Sequence, residues 1–311
     1  MRPRDRQRAQ QLEDGLLAFH RERFPLPGIQ DASIRGCLLE QIMESIHRVR
    51  YVAAIRGRDI CDARRDPSSE LFDPLKAAIL FQRDGRLEEA FWMVFLFVHF
   101  GRNSRGGWRY AREVYGRLGG NGRWDWAFTS TDPTGFRNWL DANQNQLKRA
   151  GVAGGFGNHR KYESLDARGP NGTGQVIETY VRWVNPPRTH AVMFEQAIRD
   201  AGGDPMQAFD RLYRSMENIA RFGRTAKFDY LCMISKLELV AIEPGSAYLS
   251  DSTGPLKGAR LLFGGQPAIR PRDADDRLVE LDGVLQVGMQ VLEDSLCNWQ
   301  KSPTAFIQFR G

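Results

Sequence analysis

Cysteine, lysine and long apolar runs are all scarce in this chain of 311 residues. The four cysteines stand at 37, 61, 232 and 297, and no two are close enough for a Cys-x-x-Cys pair. That spacing argues against a structural zinc site and a four-cysteine iron–sulfur cluster, so no metal is expected. Free thiols fit a reducing cytosol, and the chain is expected in the cytoplasm. The N-terminus, MRPRDRQRAQQLEDG, is basic but lacks the apolar stretch of a secretory signal. The most apolar run, AFWMVFLFVHF at 90–100, falls short of the about 20 residues that cross a bilayer, so it reads as a buried core helix. No membrane partner is expected. A Walker phosphate-binding pattern is missing too, which disfavours a nucleotide triphosphatase, and no cofactor is expected.

What is present is ordinary globular composition, with 41% hydrophobic and 26% charged residues. The formal net charge is +6, from 44 Lys and Arg against 38 Asp and Glu, and arginine far outnumbers lysine. The guanidinium fork suits bidentate phosphate recognition, so a polyanionic partner enters as a hypothesis. The charge is uneven. Residues 99–165 hold eleven Lys/Arg and five Asp/Glu, whereas 270–300 hold three basic and seven acidic residues. The basic stretch also carries Trp108, Tyr110, Tyr115, Trp124 and Trp126. Interleaved aromatics and arginines suit a nucleic-acid groove, and equally a solvated face above a tryptophan-rich core.

The apolar spacing is helical nearly throughout, with no useful period-two alternation and no repeat, so the fold class is all-α. Helices are expected over 33–56, 74–82, 86–100, 105–118, 133–150, 173–184, 189–201, 205–220 and 274–299. Asp73-Pro74, Asp132-Pro133 and Asp204-Pro205 read as caps followed by proline in the first turn. The last helix aligns Leu278, Leu281, Leu285, Leu292, Leu296 and Trp299, and its acidic side is expected to face solvent. Glycine-rich polar loops lie at 101–107, 151–174 and 244–258, and loops between helices often carry sites.

The segment 216–231, MENIARFGRTAKFDYL, fits part of a DNA-binding helix–hairpin–helix pattern, hxxhxGhGxxxAxxhh. Met216, Ile219, Phe222, Tyr230 and Leu231 fall on apolar positions and Gly223 on the second glycine. Arg221 replaces the first glycine and Lys227 the small residue. Hairpin amides at a helix start bind phosphate, and Arg221 and Arg224 add charge. The bland alternative is a plain helical hairpin. In base-excision glycosylases of this kind a catalytic carboxylate follows the hairpin by about twenty residues, the distance from Gly223 to Glu243. Asp229 and Asp251 compete with it. A carboxylate there stabilises oxocarbenium character on the sugar and orients a water. Thr225 stands where some glycosylases carry a Schiff-base lysine, so a monofunctional hydrolase is expected.

The loop Phe156–Glu163 packs Asn158, His159, Arg160, Lys161, Tyr162 and Glu163 together. With Asn103 and, on the next helix, Gln175, it supplies candidates for a polar base or sugar pocket. Arg105, Trp108, Arg160, Lys161, Arg221, Arg224, Lys227 and Lys257 are candidate DNA contacts. Lys257 sits in 253–260, TGPLKGAR, which resembles a phosphate-binding turn at a helix start.

Four blocks, HFGRNSRGGWRYAREVYG (99–116), FGNHRKYESLDA (156–167), RFGRTAKFDYL (221–231) and STGPLKGARLLFGG (252–265), together resemble the alpha-glutamyl/putrescinyl thymine pyrophosphorylase family, clade 3. The resemblance implies a two-lobed, helix–hairpin–helix DNA glycosylase-like fold. N-terminal helices would occupy about 1–84, the family core 85–265 with its hairpin at 216–231, and a C-terminal helix 266–311. Family members of other clades look like enzymes that attach amino acids or amines to pyrophosphorylated hydroxymethyluracil in DNA. Clade 3 also includes anti-phage members, one of which excises glucosylated hydroxymethylcytosine. The resemblance therefore implies a DNA glycosylase that flips a bulky modified base out of duplex DNA in antiviral defence, without an obligate protein partner. The alternative is a transferase that replaces pyrophosphate on an activated pyrimidine.

Overall fold

The computed structural model describes residues 3–149, 155–264 and 268–308. Among them it contains fourteen α-helices and no strand, only two isolated bridges, so the all-α class holds. No described helix is long and apolar enough to cross a membrane. The chain divides into two compact units, one of 1–54 with 244–310 and one of 55–243.

In the first unit, α1 (Arg6–Glu22), α2 (Ala32–Arg56, whose last two residues belong to the other unit), α12 (Gly254–Phe263), α13 (Pro271–Leu285) and α14 (Met289–Trp299) enclose one core. Leu12, Leu16 and Phe19 meet Leu278, Leu281, Leu292 and Trp299 there. The single helix expected over 274–299 is in fact α13 and α14. Asp282 Oδ1 accepts from the amides of Val287 and Gly288 at 2.9 and 2.8 Å, and Gln286 and Gly288 take left-handed backbone, which ends one helix and starts the next. The aligned leucines of both helices are buried all the same.

The second unit holds α3 (Pro74–Arg83), α4 (Leu87–Phe100), α5 (Arg109–Tyr115), α6 (Trp126–Thr131), α7 (Pro133–Arg149), α8 (Thr173–Val184), α9 (His190–Asp200), α10 (Pro205–Ser215) and α11 (Arg224–Lys236). The apolar run at 90–100 makes α4 hydrophobic on every side, so it sits inside and packs against α3, α5, α6, α9 and α11. Asp73 and Asp204 cap α3 and α10 as their Asp-Pro pairs foretell. The helix expected over 105–118 is shorter. Asn103 Oδ1 accepts from the amides of Arg105 and Gly106, holding that stretch in a turn, and positive φ at Arg117 and Leu118 ends α5. The expected helix over 205–220 likewise stops at Ser215, where a 3-10 turn begins the hairpin.

The interleaved aromatics belong to this core. Tyr110, Tyr115, Trp124 and Trp126 are buried, and Trp108 is half-buried with its ring 5.0 Å from Phe97. Glu89 ties three helices together: it accepts from the Tyr115 hydroxyl at 2.7 Å and the Trp126 amide at 2.9 Å. Burial pushes its pKa up to about 6.

Candidate functional site

Within the second unit, three segments converge: the loop Phe156–Glu163, the hairpin turn 216–223 and the opening of α11. Their backbones are fixed first. Gly157 donates to the Phe100 carbonyl at 2.7 Å, and a Cβ on Gly157 would lie 2.8 Å from the Arg102 amide nitrogen, so this approach needs glycine. Thr179 on α8 accepts from the Ala220 amide at 3.0 Å and so pins the hairpin turn. Arg221 has φ +58, the left-handed conformation glycine adopts freely. Position 221, where the hairpin pattern would carry its first glycine, thus has a backbone conformation that suits glycine.

A buried polar chain holds α11 in place. The Glu88 carboxylate accepts from the amides of His190 and Ala191 and from His190 Nδ1 at 2.7 Å. His190 Nε2 must then accept from the Tyr180 hydroxyl at 2.7 Å, and Tyr180 from the Tyr230 hydroxyl at 2.9 Å. Four helices, α4, α9, α8 and α11, meet along this line.

Charge clusters above it. Arg160 is 8% exposed, donates from Nε to the His99 carbonyl at 3.3 Å and stacks 5.5 Å from the Phe222 ring. Its Nη2 is buried with no hydrogen-bond partner and lies 3.9 Å from Glu163. Burial draws the guanidinium's pKa below its ordinary value, against the pull of Glu163 and Asp229. Glu163, 7% exposed at its side chain, also pairs with Arg221 at 3.4 Å. His99 beneath is fully buried, and burial drives its pKa well down, so it is neutral. Thr173 spends its only hydroxyl proton on the Ser164 carbonyl, so His99 donates to it from Nε2, 3.0 Å away.

Asp229 stands out among the carboxylates. It is open to solvent, yet burial by the surrounding protein raises its pKa above the ordinary aspartate value. The charges of His159, Lys236, Arg224 and Arg160 pull the other way. The carboxylate is thus set among basic side chains of α11 and the neighbouring loop. Such a group can stabilise a developing cation or orient a water. Glu243 is placed elsewhere. Its amide donates to the Pro205 carbonyl at the start of α10, and α10 has 11 residues, about 16 Å of rise, between that point and the hairpin turn.

The other sequence candidates divide. Asn158 and His159 are exposed on the 3-10 turn that opens the loop. Tyr162 is 80% exposed, with Lys161 Nζ 5.1 Å from its ring. Arg224 is buried over the Phe228 ring, and Lys227 lies over Tyr213 of α10, filling the hairpin's interior. Asn103 spends Nδ2 on the Phe156 carbonyl at 3.1 Å and so anchors the loop, while Arg105 is exposed. Gln175 accepts from Arg137 of α7 at 3.4 Å, which ties it to the neighbouring helix. Asp251 and Lys257 are exposed and belong to the first unit. Thr179, His99 and Lys236 were not foreseen. Lys236 had a signal, since it follows Asp229 by seven residues, two helical turns on one face.

These features define an all-α protein with a carboxylate set among cations beside a helical hairpin. The model of one family, alpha-glutamyl/putrescinyl thymine pyrophosphorylase clade 3, matches residues 33–311, and the chain belongs to that family. No curated protein and no solved structure gives a significant match.

Proposed function

We propose that the chain is a DNA glycosylase. It hydrolyses the N-glycosidic bond of a bulky hypermodified pyrimidine, glucosylated 5-hydroxymethylcytosine, in phage DNA and leaves an abasic site. The family's own description names modified-thymine chemistry, which supports an enzyme acting on modified bases in DNA. The observation that supports the reading is the placement of Asp229, a carboxylate among His159, Lys236, Arg224 and Arg160 on the helix whose first turn follows Gly223. Its ionised carboxylate faces the developing oxocarbenium ion and orients the attacking water. Gly223 carries no capping side chain, so the first-turn amides of α11 are suited to a phosphate. Arg221 adds charge there, and the exposed Asn158 and His159 offer donors to sugar hydroxyls.

Mass spectrometry of small products tests this. Duplexes carrying glucosylated 5-hydroxymethylcytosine should release free modified base and retain an abasic strand, while plain duplexes release nothing. Equal release from both, or from neither, overturns the reading. Retention of an added amine or amino acid with loss of pyrophosphate, from an activated hydroxymethylpyrimidine duplex, establishes the transferase instead. With Thr225 in place of a lysine, borohydride should trap no enzyme–DNA adduct.

A further inference from the structure

We infer that Tyr162 is a stacking residue that enters the DNA base stack beside the reacting nucleotide. The inference rests on the reading that the site acts on duplex DNA, and it moves Tyr162 out of the base pocket. Among the described residues Tyr162 is the most exposed large hydrophobic side chain, at 80%, on a loop whose backbone is hydrogen-bonded on both sides of it. The Glu163 amide donates to the Arg160 carbonyl at 2.9 Å, and Arg221 Nη2 reaches the Tyr162 carbonyl at 3.4 Å. The ring therefore projects from a hydrogen-bonded turn, two residues past the buried Arg160. A lone exposed apolar residue is common and means little. A ring on a braced backbone, beside a helix start suited to phosphate, with a lysine over its face, has a narrower use. Its flat face matches a base, and Lys161 lies close enough to neutralise the flanking phosphate. Taking a base out of the duplex costs stacking, and a side chain that fills the gap recovers part of it.

The probe is an unmodified duplex with a tetrahydrofuran abasic analogue and 2-aminopurine at the next position. Binding of the parent protein should quench the 2-aminopurine, because Tyr162 stacks on it. Tyr162→Ala should abolish the quench and weaken binding roughly ten-fold. Tyr162→Phe should keep both, since the ring and not the hydroxyl acts. Thermal melting should be the same for all three proteins. An equal quench by Tyr162→Ala, or no quench by the parent, overturns the stacking role. Base release from the modified duplex is measured separately. A protein that shows a Tyr162-dependent quench but releases no base keeps the stacking role and loses the glycosylase reading.

Discussion

Helices α11 and α12 open on stretches that look alike in sequence. Each has a glycine, a nearby lysine, an arginine and a carboxylate: Gly223, Lys227, Arg224 and Asp229 for α11; Gly254, Lys257, Arg260 and Asp251 for α12. The structure separates them. A Cβ on Gly258 would collide with the Leu296 carbonyl, and one on Gly254 would lie 2.7 Å from Cys297 Sγ. The glycines of α12 let α14 approach, so the stretch that resembles a phosphate-binding turn uses its glycines in a packing seam. A Cβ on Gly223 meets nothing within 4 Å, and its φ of −69° suits any residue. Nothing in the protein itself requires glycine at 223, which is the condition expected where something else must approach the backbone closely.

The two helices should differ most in their carboxylates. Asp229→Asn should lower turnover roughly a thousand-fold, while Asp251→Asn leaves it unchanged. Burial raises the Asp229 pKa, so the folded chain holds that proton more tightly than the unfolded chain does. Its ionised form therefore costs stability as pH rises through the carboxylate range, and asparagine removes the cost. The variant should melt no lower than its parent at neutral pH. The parent's rate, which needs the ionised form, should fall on the acid side at a pH above the usual aspartate range. Loss of activity with a large drop in melting temperature, or activity surviving in Asp229→Asn, defeats the assignment.

The glycines come next. Gly258→Ala should destabilise by about 1–3 kcal/mol, read by thermal or urea unfolding, because the seam must open to admit a methyl group. Gly223→Ala should change stability by less than about 0.5 kcal/mol. It should nevertheless weaken duplex binding roughly five-fold, the scale of one helix-terminus contact with an anion. Equal stability losses in the two variants would erase the difference between the helices.

Much of the helical frame was legible because its signals are local. Aspartate before proline marked α3 and α10, and an all-round apolar stretch marked α4 as central. The break between α13 and α14 was not legible, because the leucine spacing runs on past Gln286 and only the folded chain shows Asp282 capping the next turn. The position of Glu243 was not legible for a related reason. Counting twenty residues from Gly223 ignores direction: α11 ends at Lys236, and the chain then runs to the far end of α10. The loop 156–163 was recognised by its density of polar groups. Density alone gives no orientation, so buried Arg160 and exposed Tyr162 looked equivalent in sequence.

The smallest effect separates the cations. Arg221 pairs with Glu163 at 3.4 Å, a long contact at a partly exposed guanidinium, so releasing it to a phosphate costs little. Binding that neutralises a phosphate also releases a condensed counterion, and each such contact adds about one to the slope of log affinity against log salt. Arg221→Ala should therefore flatten that slope by about one. Lys257→Ala should leave it unchanged, because the glycines at the start of α12 are taken up by packing against α14. Its left-handed φ makes Arg221→Gly the sharper variant. Glycine fits that backbone without strain, so it should remove the same unit of slope with no loss of stability at that turn. A slope unchanged in both Arg221 variants would show that the guanidinium serves only Glu163 and the Tyr162 carbonyl, and the hairpin would then bind phosphate through its amides only.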